Sequence, residues 1–325
     1  MQFPRPMQRG VGFVAACFVF YFVVLFLNTW SPGFIGHPRE IRDKEPPVLI
    51  YAGTKFFNMD ITTKRFLSVC RSSKDWCSIS ENSADLPRAD AVILHNADFG
   101  RFTSPDVYGS RNLAIPYVLW SLESPMNDLF RPDKDQINWT MTPRRDADIW
   151  YPYGHMVKRT EAITVDFDAI WAMKNESLPP ATWLASNCMA RNGRTRVVEE
   201  LEGHGLKIDR WGSCGGQKAP GCAGVDKQGW DCVVELIKPY KFYVGFENSD
   251  CTDYVTEKFY ETIRSRTAVP LVGRRKIYED VGIPSSAFIA LDDFASVDAM
   301  AKHVVDVAAN KEKYLAYHKW REEYE

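Results

Sequence analysis

The sequence predicts an α/β protein of two domains, each a parallel sheet with helices, carried behind an N-terminal apolar segment. Three observations lead there. Short apolar runs alternate with polar stretches along the chain, the spacing of βαβ units. At 325 residues the chain is long for one domain and comfortable for two. Residues 10–30, GVGFVAACFVFYFVVLFLNTW, carry no charge over a length that can cross a bilayer core. The formal net charge is −2, so no basic field points to nucleic acid as a partner.

Taken in order, residues 1–9 read as a cytoplasmic tail. Arg5 and Arg9 precede the apolar run with no acidic residue, which keeps the N-terminus on the cytoplasmic side. A cleaved signal peptide is the competing reading. The run is long and aromatic-rich and ends in Asn28-Thr29-Trp30-Ser31-Pro32 without a small-x-small site, which favours an uncleaved signal anchor in contact with membrane lipid. A type II anchor places the remainder in the secretory lumen. The sequons Asn138-Trp139-Thr140 and Asn175-Glu176-Ser177 could be glycosylated there. Of eight cysteines, Cys17 lies in the anchor; the other seven are an odd number, so at least one lacks a partner within the chain. Cys214, Cys222 and Cys232 have no close CxxC pair, so disulfides are expected rather than zinc.

Residues 31–47, rich in Pro, Gly and mixed charge, make a short stem. The first domain, 48–180, has strand-like runs at 48–52, 91–95, 115–120 and 149–153. A break at Leu178-Pro179-Pro180 sets the boundary. The second domain, 181–325, starts with a strand at 182–185 and a helix over about 193–202. Further strands are expected at 206–211, 269–272 and 287–291, and helices from Val297 and Lys311. Two such domains on a short linker would face each other across a cleft, the usual place for a transfer site.

Residues 241–258, KFYVGFENSDCTDYVTEK, carry the densest chemical signal. Phe242, Tyr243, Val244 and Phe246 form a run too short for a helix and read as a buried strand. Glu247, Asn248, Ser249 and Asp250 follow, side chains suited to hydroxyls and amides. A helix is expected to start near Thr252 or Asp253, with Val255, Phe259 and Ile263 as its apolar stripe. Glu257 and Lys258 then fall in its first turns, where backbone N–H groups and the dipole favour an anion. Strand, polar turn and helix with an early lysine suit a nucleotide held at the carboxyl ends of parallel strands.

The string FENSDCTDYVTEKFYETI closely resembles the signature of the α1,3-fucosyltransferases, family 10 of the glycosyltransferases. LPRADAVILH (86–95), SLESP (121–125), NWTMTPRRDADIWYPYG (138–154), WLASN (183–187) and YLAYHKWREEY (314–324) resemble successive blocks of that family. The resemblance implies a GT-B fold, GDP-fucose as donor, an α1,3 linkage to a GlcNAc of a glycoprotein or oligosaccharide acceptor, and residence in the Golgi membrane. It implies Glu123 as the base that takes the acceptor's proton, and Lys258 and Arg194 as cations for the pyrophosphate. Glu257, Asn248 and Tyr254 stand where the family contacts its donor. For Glu247 two readings stand: donor contact, or a strand-end carboxylate capping nearby N–H groups. His95, at a strand end, reads as a hydrogen-bonded structural histidine, with acceptor contact as the alternative.

A sugar nucleotide leaves as a stable anion, so one base and a set of cations suffice, without the second carboxyl group a glycosidase needs. Asp146-Ala147-Asp148 and Asp166-Phe167-Asp168 match the short DxD pattern, but both read as structural; no obligate cofactor is expected, and a divalent ion would at most stimulate. Family members continue into a Cys-containing tail, whereas this sequence ends at Glu325 in a helical pattern; Cys70 and Cys77 are therefore expected to lack those partners. A silent glycan-binding protein on the same fold, or transfer to a protein hydroxyl, are the alternatives. Retention of Glu123, Arg194, Glu257 and Lys258 together argues for catalysis.

Overall fold

The computed structural model describes residues 48–63, 77–99, 107, 111–112, 114–128, 136–222 and 231–325. The anchor at 10–30, the stem and Cys70 lie outside the described residues. No helix among the described residues is long and apolar enough to cross a membrane. The chain divides into two compact units, one ending at Tyr151 and the other running Pro152–Glu325.

The first unit holds a six-stranded sheet in the order β2-β1-β3-β4-β5-β6. Its strands are β1 (Val48–Ala52), β2 (Cys77–Ser80), β3 (Ala91–His95), β4 (Tyr117–Trp120), β5 (Trp139–Thr142) and β6 (Ile149–Trp150). Every described ladder in it is parallel. β1 and β3 have the expected bounds; β4 and β6 are shorter than their apolar runs. β2 (CSIS) and β5 (WTMT) were not expected, because neither has a continuous apolar run. Alternate residues enter two clusters: Ile50, Ala91, Ile93 and Val118 in one, Tyr51, Val92, Leu94 and Tyr117 in the other. Burial on both faces is what lets a parallel strand read as an unbroken apolar run.

The second unit holds a five-stranded sheet in the order β11-β10-β9-β7-β8, also parallel throughout. In chain order its elements begin with α1 (Phe167–Ala172), β7 (Ala181–Leu184), α2 (Arg194–Gly203), β8 (Ile208–Trp211), α3 (Asp231–Ile237) and β9 (Phe242–Val244). They continue with α4 (Glu257–Glu261), β10 (Val269–Val272), α5 (Arg275–Asp280), β11 (Ile289–Ala290), α6 (Val297–Ala308) and α7 (Lys311–Ala316). The division at Tyr151 falls ahead of the Pro179-Pro180 break. α1 lies between the two points, and its Ile170 packs into the second unit's core with Val198, Phe242 and Tyr314. Pro180 opens β7 instead, its carbonyl accepting from Phe242 N at 2.9 Å.

β9 is fully buried at the sheet's centre. From β7 the chain steps to β8 on one side and later to β9 on the other, so β7 and β9 flank a switch in strand order. β1 and β3 flank the equivalent switch in the first unit, since β2 and β3 lie on opposite sides of β1. Crevices at the carboxyl ends of such strand pairs are where open parallel sheets bind ligands. Cys188–Cys214 joins the loops after β7 and β8, and Cys222–Cys232 ties that same loop after β8 to α3, in accord with the disulfide expectation.

Candidate functional site

In the second unit, the helix after β9 starts later than the sequence suggests. α4 begins at Glu257 with Thr256 as its N-cap, and lasts five residues before a π turn over Thr262–Arg266. Asp253, one of the expected caps, instead takes a left-handed conformation with φ 60°. Residues 248–255 therefore form a loop, anchored by buried Tyr254 and Val255. Phe259 and Ile263 still pack inward, against Tyr278 and Phe288.

The anchor of this loop is Glu247, 5% exposed. One carboxylate oxygen accepts from Thr256 N–H at 2.8 Å and both lie 2.9 Å from the Thr256 hydroxyl. Lys258 Nζ sits 3.2 Å from Glu247 Oε2, 3.1 Å from Glu257 Oε1 and 2.9 Å from Thr256 Oγ1. Burial raises the Glu247 pKa, against the pull of Lys258 and the Thr256 hydrogen bonds. For Glu257 burial works upward too, but the adjacent ammonium outweighs it and holds the carboxyl below its usual range. For Lys258 burial works downward, and the charges of Glu247 and Glu257 outweigh it, so the ammonium is held charged. Glu247 thus makes the interior contacts of its capping reading, to the Thr256 N–H and hydroxyl.

Arg194 is the first residue of α2, behind a left-handed Gly193, as the sequence suggests. Its guanidinium, however, turns inward and is 4% exposed. Nη1 donates to Phe246 O at 2.8 Å and Nη2 to Asn187 O at 3.0 Å, stapling the carboxyl ends of β9 and β7. Nε is buried without a hydrogen-bond partner, and burial depresses the group's pKa against the charges of Glu247 and Glu257. Asn192, not singled out in the sequence, reinforces the staple by donating to Glu247 O at 2.9 Å and Asp250 Oδ1 at 3.3 Å. Thr256 was also missed, although a threonine directly before Glu-Lys is a legible cap. Asn248 is half-buried beside this cluster and Tyr254 is 4% exposed. The structure therefore gathers Glu247, Thr256, Glu257 and Lys258, with Arg194 bonded to the backbone beside them.

In the first unit, Glu123 is half-buried on the loop after β4. Its N–H donates to Ser121 Oγ at 3.2 Å, and Ser121 Oγ donates to Asp128 at 2.6 Å. Its charge reaches His95 at the end of β3. Burial lowers the His95 pKa, opposed by Asp98, whose carboxylate lies 2.7 Å from Nδ1. Asp98 also accepts from Phe57 N and Asn58 N. Those two consecutive non-glycine residues have φ of 47° and 64°, a strained turn of the kind that clusters at functional sites. The turn presents Phe57 to solvent at 51% exposure. Phe56 stacks on Trp120 at 4.5 Å, Phe57 meets His95 edge-on at 4.7 Å, and Tyr151 lies 6.0 Å from Trp120. This aromatic group at the β1/β3 switch was not expected beyond His95.

Both DxD patterns have structural partners. Asp146 pairs with Arg144 and Asp148 accepts from Thr140 N, while Asp166 caps α1 and Asp168 pairs with Lys311. Among the described residues no three His, Cys, Asp or Glu side chains gather as metal ligands. Both sequon asparagines are exposed. Asn175 Oδ1 accepts from Ser177 N at 2.9 Å, whereas the Asn138 amide is tied to Tyr117 N at 2.6 Å and Ile115 O at 3.4 Å.

Two family models match the chain: Glycosyltransferase family 10 (fucosyltransferase) C-term over residues 172–325, and Fucosyltransferase, N-terminal over residues 44–154. Alpha-(1,3)-fucosyltransferase fut-6 of Caenorhabditis elegans is 49% identical over 279 residues, covering 85% of this chain and 70% of its own. Alpha-(1,3)-fucosyltransferase 7 of Homo sapiens is 31% identical over 326 residues, covering 98% of this chain and 86% of its own. A crystal structure of an α1,3-fucosyltransferase with GDP-fucose superposes with TM-score 0.55 at 16% identity, covering 88% of this chain and 86% of that one.

Proposed function

This chain belongs to glycosyltransferase family 10, the fucosyltransferases, and from that premise we propose that it moves fucose from GDP-fucose, in α1,3 linkage, to a GlcNAc of a glycoprotein glycan. The observation that carries the reading is the Glu247–Thr256–Glu257–Lys258 cluster at the carboxyl end of β9, beside the switch in strand order. Lys258, held charged, meets the diphosphate and stabilises the departing GDP. Glu257 accepts from fucose or ribose hydroxyls, and Asn248 and Tyr254 line the same donor site. Arg194 serves chiefly by fixing the two loops that shape the site.

Glu123 takes the proton from the acceptor hydroxyl. One base and one stable leaving group fit a single in-line displacement, which inverts the anomeric carbon and turns a β-linked donor into an α-linked product. The exposed Phe57 ring, packed edge-on to Phe56 and His95, suits the apolar face of a sugar ring on the acceptor side. Residues 10–30 anchor the protein as a single-pass type II protein of the Golgi membrane, with Asn175 and Asn138 as lumenal glycosylation sites.

The test is GDP release from GDP-fucose against a panel of antennary GlcNAc, core GlcNAc and peptide acceptors, with the product linkage read by mass spectrometry and NMR. Acceptor-dependent release with an α1,3-fucosylated GlcNAc is expected. Release on no acceptor, with glycan binding intact, would return the chain to a silent lectin. Expression in cells should add endoglycosidase-sensitive mass; unaltered mobility with a protease-sensitive C-terminus in the cytosol would overturn the topology.

A further inference from the structure

We propose that Glu247 is a positioning residue for the donor chemistry: it never meets the donor, but fixes Lys258 and Thr256 so that an arriving diphosphate displaces Glu257, and not Glu247, from the ammonium. The proposal rests on the donor reading of this cluster. An ammonium has three N–H donors. Here two of them go to Thr256 Oγ1 and Glu257 Oε1, at 2.9 and 3.1 Å, and Glu247 Oε2 stands 3.2 Å from Nζ as an ion pair. A phosphate oxygen arriving at Lys258 therefore competes with these internal partners.

The three partners are not equally free to leave. The Glu247 side chain is 4% exposed and that of Glu257 30%. Glu247 also accepts from the buried Thr256 N–H and hydroxyl, so its departure would strand a backbone donor and the cap of α4. Thr256 is wholly buried and is itself the cap. Glu257, the more exposed of the two carboxylates, has solvent, or a sugar hydroxyl, to turn to. The titratable groups that face Lys258 are Glu247 from the β9–α4 loop, Glu257 from its own helix and the uncharged Tyr243 phenol from β9; Arg194 of α2 faces Glu247. Glu247 is thus the fixed counter-ion and Glu257 the exchangeable one, which links arrival of the diphosphate to release of a carboxylate toward the sugar.

The test uses the full chain and four variants: Glu247→Gln, Glu257→Gln, Lys258→Met and the double variant Glu247→Gln/Lys258→Met. Competitive amine labelling of Lys258 across pH, read by peptide mass spectrometry, follows its ionisation without any donor present. Calorimetry with GDP alone gives affinity without contacts to fucose. In Glu247→Gln the labelling midpoint should fall by about one pH unit or more. Any change that Glu247→Gln makes in GDP affinity should vanish in the Lys258→Met background, because it acts through Lys258. Glu257→Gln should bind inorganic pyrophosphate, which offers Glu257 no sugar hydroxyl, at least as tightly as the wild type, its competitor for the ammonium having lost its charge. An unmoved labelling midpoint, an effect of Glu247→Gln that persists without Lys258, or weakened pyrophosphate binding by Glu257→Gln would each overturn the proposal. Should Glu247→Gln fail to fold, Glu247→Asp, which withdraws the carboxylate by one methylene, should lower the midpoint by a smaller step; no shift would count against it. If Lys258→Met binds GDP like the wild type, the donor reading falls instead.

Discussion

The two sheets end in different materials. At the carboxyl end of the second sheet stand charges locked in place: a buried glutamate, a lysine with three internal partners and an arginine bonded to two carbonyls. At the carboxyl end of the first stand rings, a histidine–aspartate pair and one half-buried glutamate on a loop. Nucleotide leaving groups are alike in charge, so fixed cations suit them. Acceptors are uncharged sugars, so apolar faces and a single proton acceptor suit them. The difference teaches that rigidity has gone to the charged end, where misplacement costs most electrostatically.

The largest effect should break the comparison at its acceptor end. Glu123→Gln keeps size but cannot take a proton, and transfer should slow by about 10²–10⁴ while GDP-fucose affinity stays near normal. Near-normal turnover would put the base elsewhere; a collapse in GDP-fucose affinity would make Glu123 a donor ligand. Next comes the charged end. Lys258→Ala removes one charge-assisted contact, roughly 1.5–3 kcal/mol, or about 10- to 150-fold in GDP affinity by calorimetry. It also strands Glu247, so the variant should melt earlier than the wild type.

Phe57→Ala sharpens the contrast. It should raise the acceptor KM several-fold and leave GDP affinity and melting temperature little changed, since the ring is 51% exposed. A fall in GDP affinity would count against a division of labour between the units. The pH dependence of unfolding offers a smaller effect. Lys174, 8% exposed and donating to Lys238 O, has its pKa pressed down from 10.5 to about 7 by burial and by the charges of Arg321 and Lys238. The unfolded chain therefore holds the extra proton, and the second unit should lose stability as pH falls from about 10.5 to 7, levelling below. Lys174→Met should flatten that slope in thermal scans. His95 of the first unit is also depressed by burial, but acts only as pH falls through the ordinary histidine range near 6.5. Smallest of all, EDTA should leave most of the activity, because the DxD aspartates are engaged by Arg144, Thr140, the α1 N-terminus and Lys311. Complete loss restored by Mn²⁺ would reverse that reading.

Much of this was legible in the sequence. Strands buried on both faces, such as β3 and β10, are unbroken apolar words and were found at their bounds. β2 and β5 mix polar residues into sheet positions and gave no such signal. The Glu247–Lys258 cluster was legible as residues but not as geometry. Nothing in a linear string says that Arg194 turns inward to Phe246 O, or that the helix waits until Glu257 because Thr256, held by Glu247, is the cap. The aromatic group was hidden because Phe56, Phe57, His95, Trp120 and Tyr151 come from four separate stretches. Only Phe56 and Phe57 are neighbours in sequence.

All nine described ladders are parallel, and that has a kinetic consequence. No hairpin can nucleate either sheet, so every pairing waits for a crossover to close. The longest wait in the second unit is β7 against β9, where Ala181 must find Phe242 across α2, β8 and α3. Both disulfides lie inside that excursion, spanning separations of 26 and 10 residues. Each bridge shortens the loop that must be closed and lowers its entropic barrier. An oxidising compartment would therefore act on this protein as a folding accelerator, bringing together the two strands whose carboxyl ends Arg194 staples.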